Sequence, residues 1–191
     1  TPSGNAINEQ AFSTINLLGI AYLFIGGVIL LLFTYRLSKL LFIIKKSEKK
    51  NIKKAILCLS KKTIAPSSFL NFIIMSEDSY KDQSSADIII NHEHHHIKDR
   101  HSYDLIMVSL MAAFFWINPF IWLLQFYLRE VHEYIADNGT LNQGYDLVGY
   151  TEKLIDQNLG FQFILINNHF NHSLIFRRIK MITKNKSGSV A

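Results

Sequence analysis

The sequence predicts a mainly α membrane protein, with one spanning helix leading into a largely helical domain that holds a small β element and a helical hairpin. Three observations carry this. Of the 191 residues, 49% are hydrophobic and 18% charged, a composition that excludes intrinsic disorder and departs from that of an ordinary soluble domain. A charge-free stretch from Gln10 to Tyr35, with its longest apolar run at Leu17 to Phe33, is long enough to cross a hydrocarbon core of roughly 30 Å as a helix. Ten Lys/Arg then follow between Arg36 and Lys62 against the single acid Glu48, the flank expected at a cytoplasmic membrane boundary. The length provides for one core and falls short of two full-sized ones.

Taken in order, residues 1–13 hold Glu9 but no Lys or Arg, so they lack the basic start of a signal peptide and read as a short extracytoplasmic segment. Residues 14–35 are the spanning helix. The positive-inside rule puts residue 36 onward in the cytoplasm. The basic segment 36–62 carries a local +9, so the net +5 of the chain belongs to it and the remainder is acidic. It reads as a solvated juxtamembrane face touching anionic lipid of the bilayer; without interleaved aromatics, no direct nucleic-acid binding is expected. The single cysteine, Cys58, rules out a disulfide framework and a Cys-rich zinc module, so any metal must be held by His and carboxylates. The chain opens without Met and closes on Ser187-Gly-Ser-Val-Ala191, as expected of a fragment or processed piece.

The domain is expected over 63–183, with a flexible tail at 184–191. Ile64 to Ser68 reads as a turn or loop. Phe69 to Met75 reads as a short strand bounded by Ser76-Glu77-Asp78. Ser84-Ser85 offers an N-cap before a helix with Asp87 in its first turn. Asp146 to Leu159, stopped by Gly160, reads as an amphipathic helix covering the site, its Leu147, Leu154 and Ile155 serving as core.

His92-Glu93-His94-His95-His96 fits H-E-x-x-H. On a helix, residues i and i+4 share a face, so His92 and His96 can reach one ion while Glu93 flanks it, placed to take a proton from a metal-bound water. Chance, or a general metal-chelating His tract, would give the same short string. A catalytic zinc typically takes a third protein ligand. His101 is the nearby candidate; the better one is Glu133 in Arg129-Glu-Val-His-Glu133-Tyr-Ile-Ala-Asp137, where Asp137 shares its face and can fix a ligand His through the second ring nitrogen. His94 and His95 are expected in solvent or incidental contacts. His132, Tyr134, Tyr150 and His169 each read as surface or core residues, any one of which could serve an oxyanion. The Phe69 to Met75 strand could align a peptide by edge pairing or serve only as core.

Leu105 to Leu128 contains no charged residue, and hydropathy alone would make it a second span. That would leave Glu133 across the membrane from His92 and His96. A shared ion requires the segment to turn back, and Asn118-Pro119 supplies an N-cap followed by a residue suited to the first helical position. The expectation is a hairpin of helices at roughly 104–117 and 119–137, with Trp116 and Trp122 flanking the bend.

The run His92-Glu-His-His-His96-Ile-Lys-Asp-Arg-His101-Ser-Tyr-Asp104, then Phe115-Trp-Ile-Asn-Pro-Phe120 and His132-Glu-Tyr-Ile-Ala-Asp137, resembles the BlaR/MecR-type family of integral-membrane zinc metallopeptidases. Ala65 to Ile74 and Ser173 to Met181 also look like segments of that family, so the likeness runs from about residue 15 to 183. It implies a gluzincin-like zinc-peptidase domain, one Zn2+ per chain held by His92, His96 and Glu133, and Glu93 as catalytic base. It further implies a protein or peptide substrate, such as a transcriptional repressor, cleaved at the cytoplasmic face of a bacterial-type inner membrane in signalling or antirepressor proteolysis. Two alternatives stand beside it: a membrane quality-control or CAAX-type zinc protease, and a non-enzymatic transducer with a structural metal site. With no penicillin-binding domain in the chain, the resemblance does not extend to beta-lactam sensing.

Overall fold

The computed structural model describes residues 2–52, 55–62, 65–162 and 169–187. It is mostly helical with one four-stranded sheet. Helix α1 (Pro2–Lys46) runs without a break through the expected outer segment, the expected span and the first basic residues. Its part from Ile15 to Lys46 is long and apolar enough to cross a membrane, and none of its most apolar window is buried against protein.

The basic segment that follows α1 is not a featureless linker. Strand β1 (Glu48–Ile52) is exposed from Glu48 to Asn51, with Ile52 half-buried, and pairs antiparallel with β2 (Ala55–Ser60). The single strand expected at Phe69 to Met75 is instead a hairpin of β3 (Ser67–Phe69) and β4 (Phe72–Ser76). Leu70 turns the chain at a φ of +51°. A short apolar run does not reveal such a turn, because no Gly or Pro marks it. Parallel pairing of β2 with β4 completes the order β1-β2-β4-β3.

Both faces of this small sheet are covered, which is why β2 and β4 read as unbroken apolar runs rather than alternating ones. Leu57, Leu59, Ile73 and Met75 pack with Ala86 and Ile89 on one side. Cys58 and Ile74 pack with Ile44 of α1 on the other. The sheet therefore fixes the C-terminal end of α1 relative to the helix that follows.

Ser76 caps the one-turn helix α2 (Glu77–Lys81), accepting from the Ser79 amide. Helix α3 (Gln83–Lys98) starts earlier than the sequence suggests: Asp82, not Ser84 or Ser85, is its N-cap, so Asp87 lies beyond the first turn. Arg100, at a φ of +58°, reverses the chain into α4 (His101–Phe114). The expected hairpin is present, with α5 (Pro119–Leu141) opening on Asn118, whose side chain accepts from the Phe120 amide, and on Pro119 at its start. Val108, Ala112 and Ile121 form the seam between its arms. Helix α6 (Leu147–Gln162) continues past Gly160, and α7 (His169–Ser187) packs Ile182 with Tyr150 and Leu154 of α6.

Helices α3 and α5 approach closely at Gly139, where an added Cβ would run into the His95 ring, 2.8 Å from its Cγ. Glycine inside a helix costs about 1 kcal/mol against alanine, so its presence here answers to that contact. We expect Gly139→Ala to lower stability by about 1–3 kcal/mol through overpacking, read as a drop in thermal midpoint. An unchanged midpoint would mean that the two helices separate freely at this point.

Candidate metal centre

His92 and His96 sit one turn apart on α3, and Glu133 projects from α5 opposite them, so that one ligand atom of each lies within 4.8 Å of the others. The Nε2 atoms of the two histidines are 3.2 Å apart. Glu133 Oε2 is 3.4 Å from His92 Nε2, and Oε1 is 3.6 Å from His96 Nε2. Tetrahedral bonds of about 2.0–2.1 Å put neighbouring ligand atoms about 3.3 Å apart. The three side chains fit one zinc ion on this measure, and their chemistry, two imidazoles and a carboxylate, is a donor set that zinc takes.

The ring nitrogens facing away from this triad are also held. His92 Nδ1 is 2.9 Å from the Tyr150 hydroxyl, which donates to Asp137 Oδ1 at 2.5 Å. Since the tyrosine proton goes to the carboxylate, its oxygen accepts from His92 Nδ1–H, leaving the Nε2 lone pair toward the triad. His96 Nδ1 meets His101 Nδ1 at 2.8 Å. For His96 Nε2 to present a lone pair, its Nδ1 must carry the proton and donate to His101. His101 stacks on His132 with ring centroids 3.8 Å apart, and His132 Nε2 lies 3.2 Å from Asp104 Oδ2.

Burial lowers the His96 pKa to about 3, keeping the ring neutral. Burial is the largest influence on His92 and works against its charge, but the hydrogen bond to Glu133 and the negative charges of Glu133 and Glu93 together outweigh it and the pKa rises. For Glu133, burial alone would favour the acid; Arg178 and the His92 hydrogen bond override it and hold the carboxyl well below its ordinary range. The pocket thus pairs an anionic carboxylate, Glu133, with a neutral imidazole, His96. Glu93, buried beside the triad, is pushed up by burial, opposed by His92 and by a hydrogen bond from Ser68. A carboxylate so raised is a stronger base.

The structure thus brings His92, Glu93, His96, Glu133 and Asp137 together, while Asp137 reaches His92 Nδ1 at 3.4 Å, farther than the tyrosine does. His101 is not part of the triad but backs one of its members. His95 is buried, not solvent-exposed: its Nε2 meets Gln143 Nε2 at 2.9 Å, and Gln143 in turn accepts from Asn91. His94 is half-buried and outside the group. Tyr134 bonds Glu130 rather than any member of the triad. The His169 side chain lies outside the described residues. Tyr150, weighed from the sequence only as a surface, core or oxyanion residue, instead contacts His92 and Asp137, and Arg178 carries no flag in the sequence. Arg178 grips Asp137 with Nε at 2.9 Å and Nη2 at 2.6 Å, and reaches Glu133 Oε2 with Nη1 at 2.9 Å. The one available signal is that a buried Asp137 needs a cation, and spacing alone does not say which.

The family model described as BlaR1 peptidase M56 matches residues 3–182. None of the curated proteins matches. The chain belongs to the BlaR1 peptidase M56 family, whose members are metallopeptidases.

We expect Tyr150→Phe, which removes both the support of His92 Nδ1 and one donor to Asp137, to weaken divalent-metal affinity by about 10–100-fold. Competition with a chelator reads this directly. Unchanged affinity would mean that Asp137 alone orients His92.

Proposed function

We propose that this member of the family is a membrane-embedded, zinc-dependent endopeptidase of gluzincin type. It cleaves a protein or peptide substrate, such as a transcriptional repressor, at the cytoplasmic face of a bacterial-type inner membrane. The observation that carries this is the triad of His92, His96 and Glu133, with one ligand atom of each within 4.8 Å of the others, and a buried carboxylate, Glu93, beside it. One zinc per chain would be held by the three. When bound it supplies a water with a pKa near 7 and polarises the scissile carbonyl.

The chain's own residues do the rest. Glu93, its basicity raised by burial, takes the proton of the attacking water and returns it to the leaving amine. Ser68 of β3 hydrogen-bonds Glu93, and β3 is one of the two edges of the sheet. An extended peptide pairing with that edge would bring a backbone carbonyl beside Glu93.

Helix lengths support this placement in the bilayer. The Tyr22 hydroxyl donates to the Phe114 carbonyl, and Trp116 Nε1 donates to the Tyr22 carbonyl at 3.2 Å. From Tyr22 to Arg36, α1 rises about 21 Å, and the fourteen residues of α4 rise about the same. With α4 antiparallel to α1 from that contact, His101 comes level with Arg36, where the basic flank starts. The tip of the hairpin stays apolar in its surroundings, with Phe114 65% and Phe120 73% exposed. Together with the uncovered face of α1 this makes an apolar surface far larger than soluble proteins carry, which supports immersion in lipid. The hairpin would enter from the cytoplasm and return, so that all three ligands stay on one side.

We expect Glu93→Gln to retain zinc and lose peptidase activity by about 10²–10⁴-fold. Bound zinc with no hydrolysis by the unaltered protein would leave a structural metal clip. For topology, cysteines placed singly at Lys98 and Asn142 in a Cys58→Ala background should both be labelled by a membrane-impermeant reagent from the cytoplasmic side. Labelling of position 142 solely from the outside would sink the hairpin.

A further inference from the structure

Helix α7 sends one side chain into the heart of the triad's support. Arg178 is 7% exposed, Asp137 not at all. Its fork spans both carboxylates of the Glu133/Asp137 pair: Nε and Nη2 take the two oxygens of Asp137, and Nη1 takes Glu133 Oε2. Because the bidentate contact with Asp137 fixes the plane of the guanidinium, the third nitrogen is aimed, not free to wander. Arg177, next to it, serves a different partner, reaching Glu130 Oε2 at 2.9 Å.

We propose that Arg178 is a positioning residue for the metal site: it holds one oxygen of Glu133 so that the carboxylate presents itself to His92 and His96 in a single orientation, and docking of α7 thereby completes the site. This rests on the metallopeptidase reading and deepens it. An arginine fork matches two carboxylates one helical turn apart; a lysine, with one nitrogen at the end of a flexible stem, can hold one or the other. The proposal also fixes a sign. By charge alone, a guanidinium beside a ligand disfavours a divalent cation, and removing it would tighten metal binding. By orientation, removing it frees Glu133 to rotate and loosens binding. The two effects oppose each other, and positioning requires that the second wins.

The test uses the full-length chain in detergent, with zinc affinity read by chelator competition and the Co2+-substituted protein read by its visible spectrum. We expect Arg178→Met and Arg178→Lys both to bind zinc about 10–100-fold more weakly than wild type and to shift the Co2+ bands, as loss of ligand orientation does. Arg177→Lys, which changes the neighbouring contact between α5 and α7, should keep wild-type affinity and spectrum. Tighter binding by Arg178→Met with no change in Arg178→Lys would make Arg178 a mere charge and overturn the proposal. So would wild-type affinity and spectrum in both variants with a lowered thermal midpoint, which would make it a brace for α7. Arg178→Met strands the buried Asp137; if that variant does not fold, Arg178→Lys decides alone. A wild-type protein that binds neither metal would sink the metallopeptidase reading itself, an outcome distinct from any of these.

Discussion

Asp137 is a carboxylate with no access to water, and the structure around the site is arranged to satisfy it. A buried charge without donors is among the most costly features a fold can contain, and removing a single partner leaves that cost uncompensated. Asp137 has two contacts from Arg178 and one from Tyr150. These donors come from α7 and α6, and Asp137 itself from α5, so three helices are tied at one point. The Tyr150 oxygen, already oriented by its bond to Asp137, then receives His92 of α3. Satisfying one anion therefore sets the ring orientation of a proposed metal ligand, and stability and site geometry share the same hydrogen bonds.

A second constraint acts on the hairpin. Its bend interrupts helical hydrogen bonding between α4 and α5, and in lipid such groups have no water to turn to. They are met from within the protein. The Phe114 carbonyl receives Tyr22, the Phe115 carbonyl receives the Asn118 amide, and the Trp116 carbonyl receives Trp122 Nε1 at 2.9 Å. Aromatic donors suit this place because their rings lie against apolar surroundings while a single polar atom reaches the backbone. Gly26 of α1 lets the bend come close, since a Cβ there would lie 2.7 Å from the Ala113 carbonyl oxygen.

How far this was legible in the sequence depends on whether a feature is periodic and local. H-E-x-x-H, the Glu133/Asp137 pair and the Asn118-Pro119 bend are each set by spacings within one helix or turn, and the structure brings His92, His96 and Glu133 together and opens α5 on Asn118 and Pro119. The sheet was half hidden. β2 is an apolar run amid lysines, and β1 has no apolar face to announce it. Contacts made across long separations were not legible at all. Tyr150 lies 58 residues from His92, and Arg178 lies 41 from Asp137; nothing in one helix specifies which side chain of another will meet it. His95 shows the same limit, since its burial follows from the gap that Gly139 leaves on α5.

The hairpin also sets where Glu133 lands. From His101 to Phe114 the chain rises about 20 Å along α4, and from Pro119 to Glu133 it descends about 21 Å along α5, so the two arms nearly cancel and the chain returns to the level at which it left α3. The stacking of His132 on His101, at 3.8 Å between centroids, marks that return in the structure. Height alone is not enough, because each residue also turns the helix by about 100°. A residue added to or taken from α5 between Pro119 and Glu133 would keep Glu133 within about 1.5 Å of its height yet swing its side chain away from His92 and His96. It would carry Asp137 out of reach of Arg178 by the same rotation. The length of an apolar hairpin is in this way tied to the angular register of the polar groups at its base.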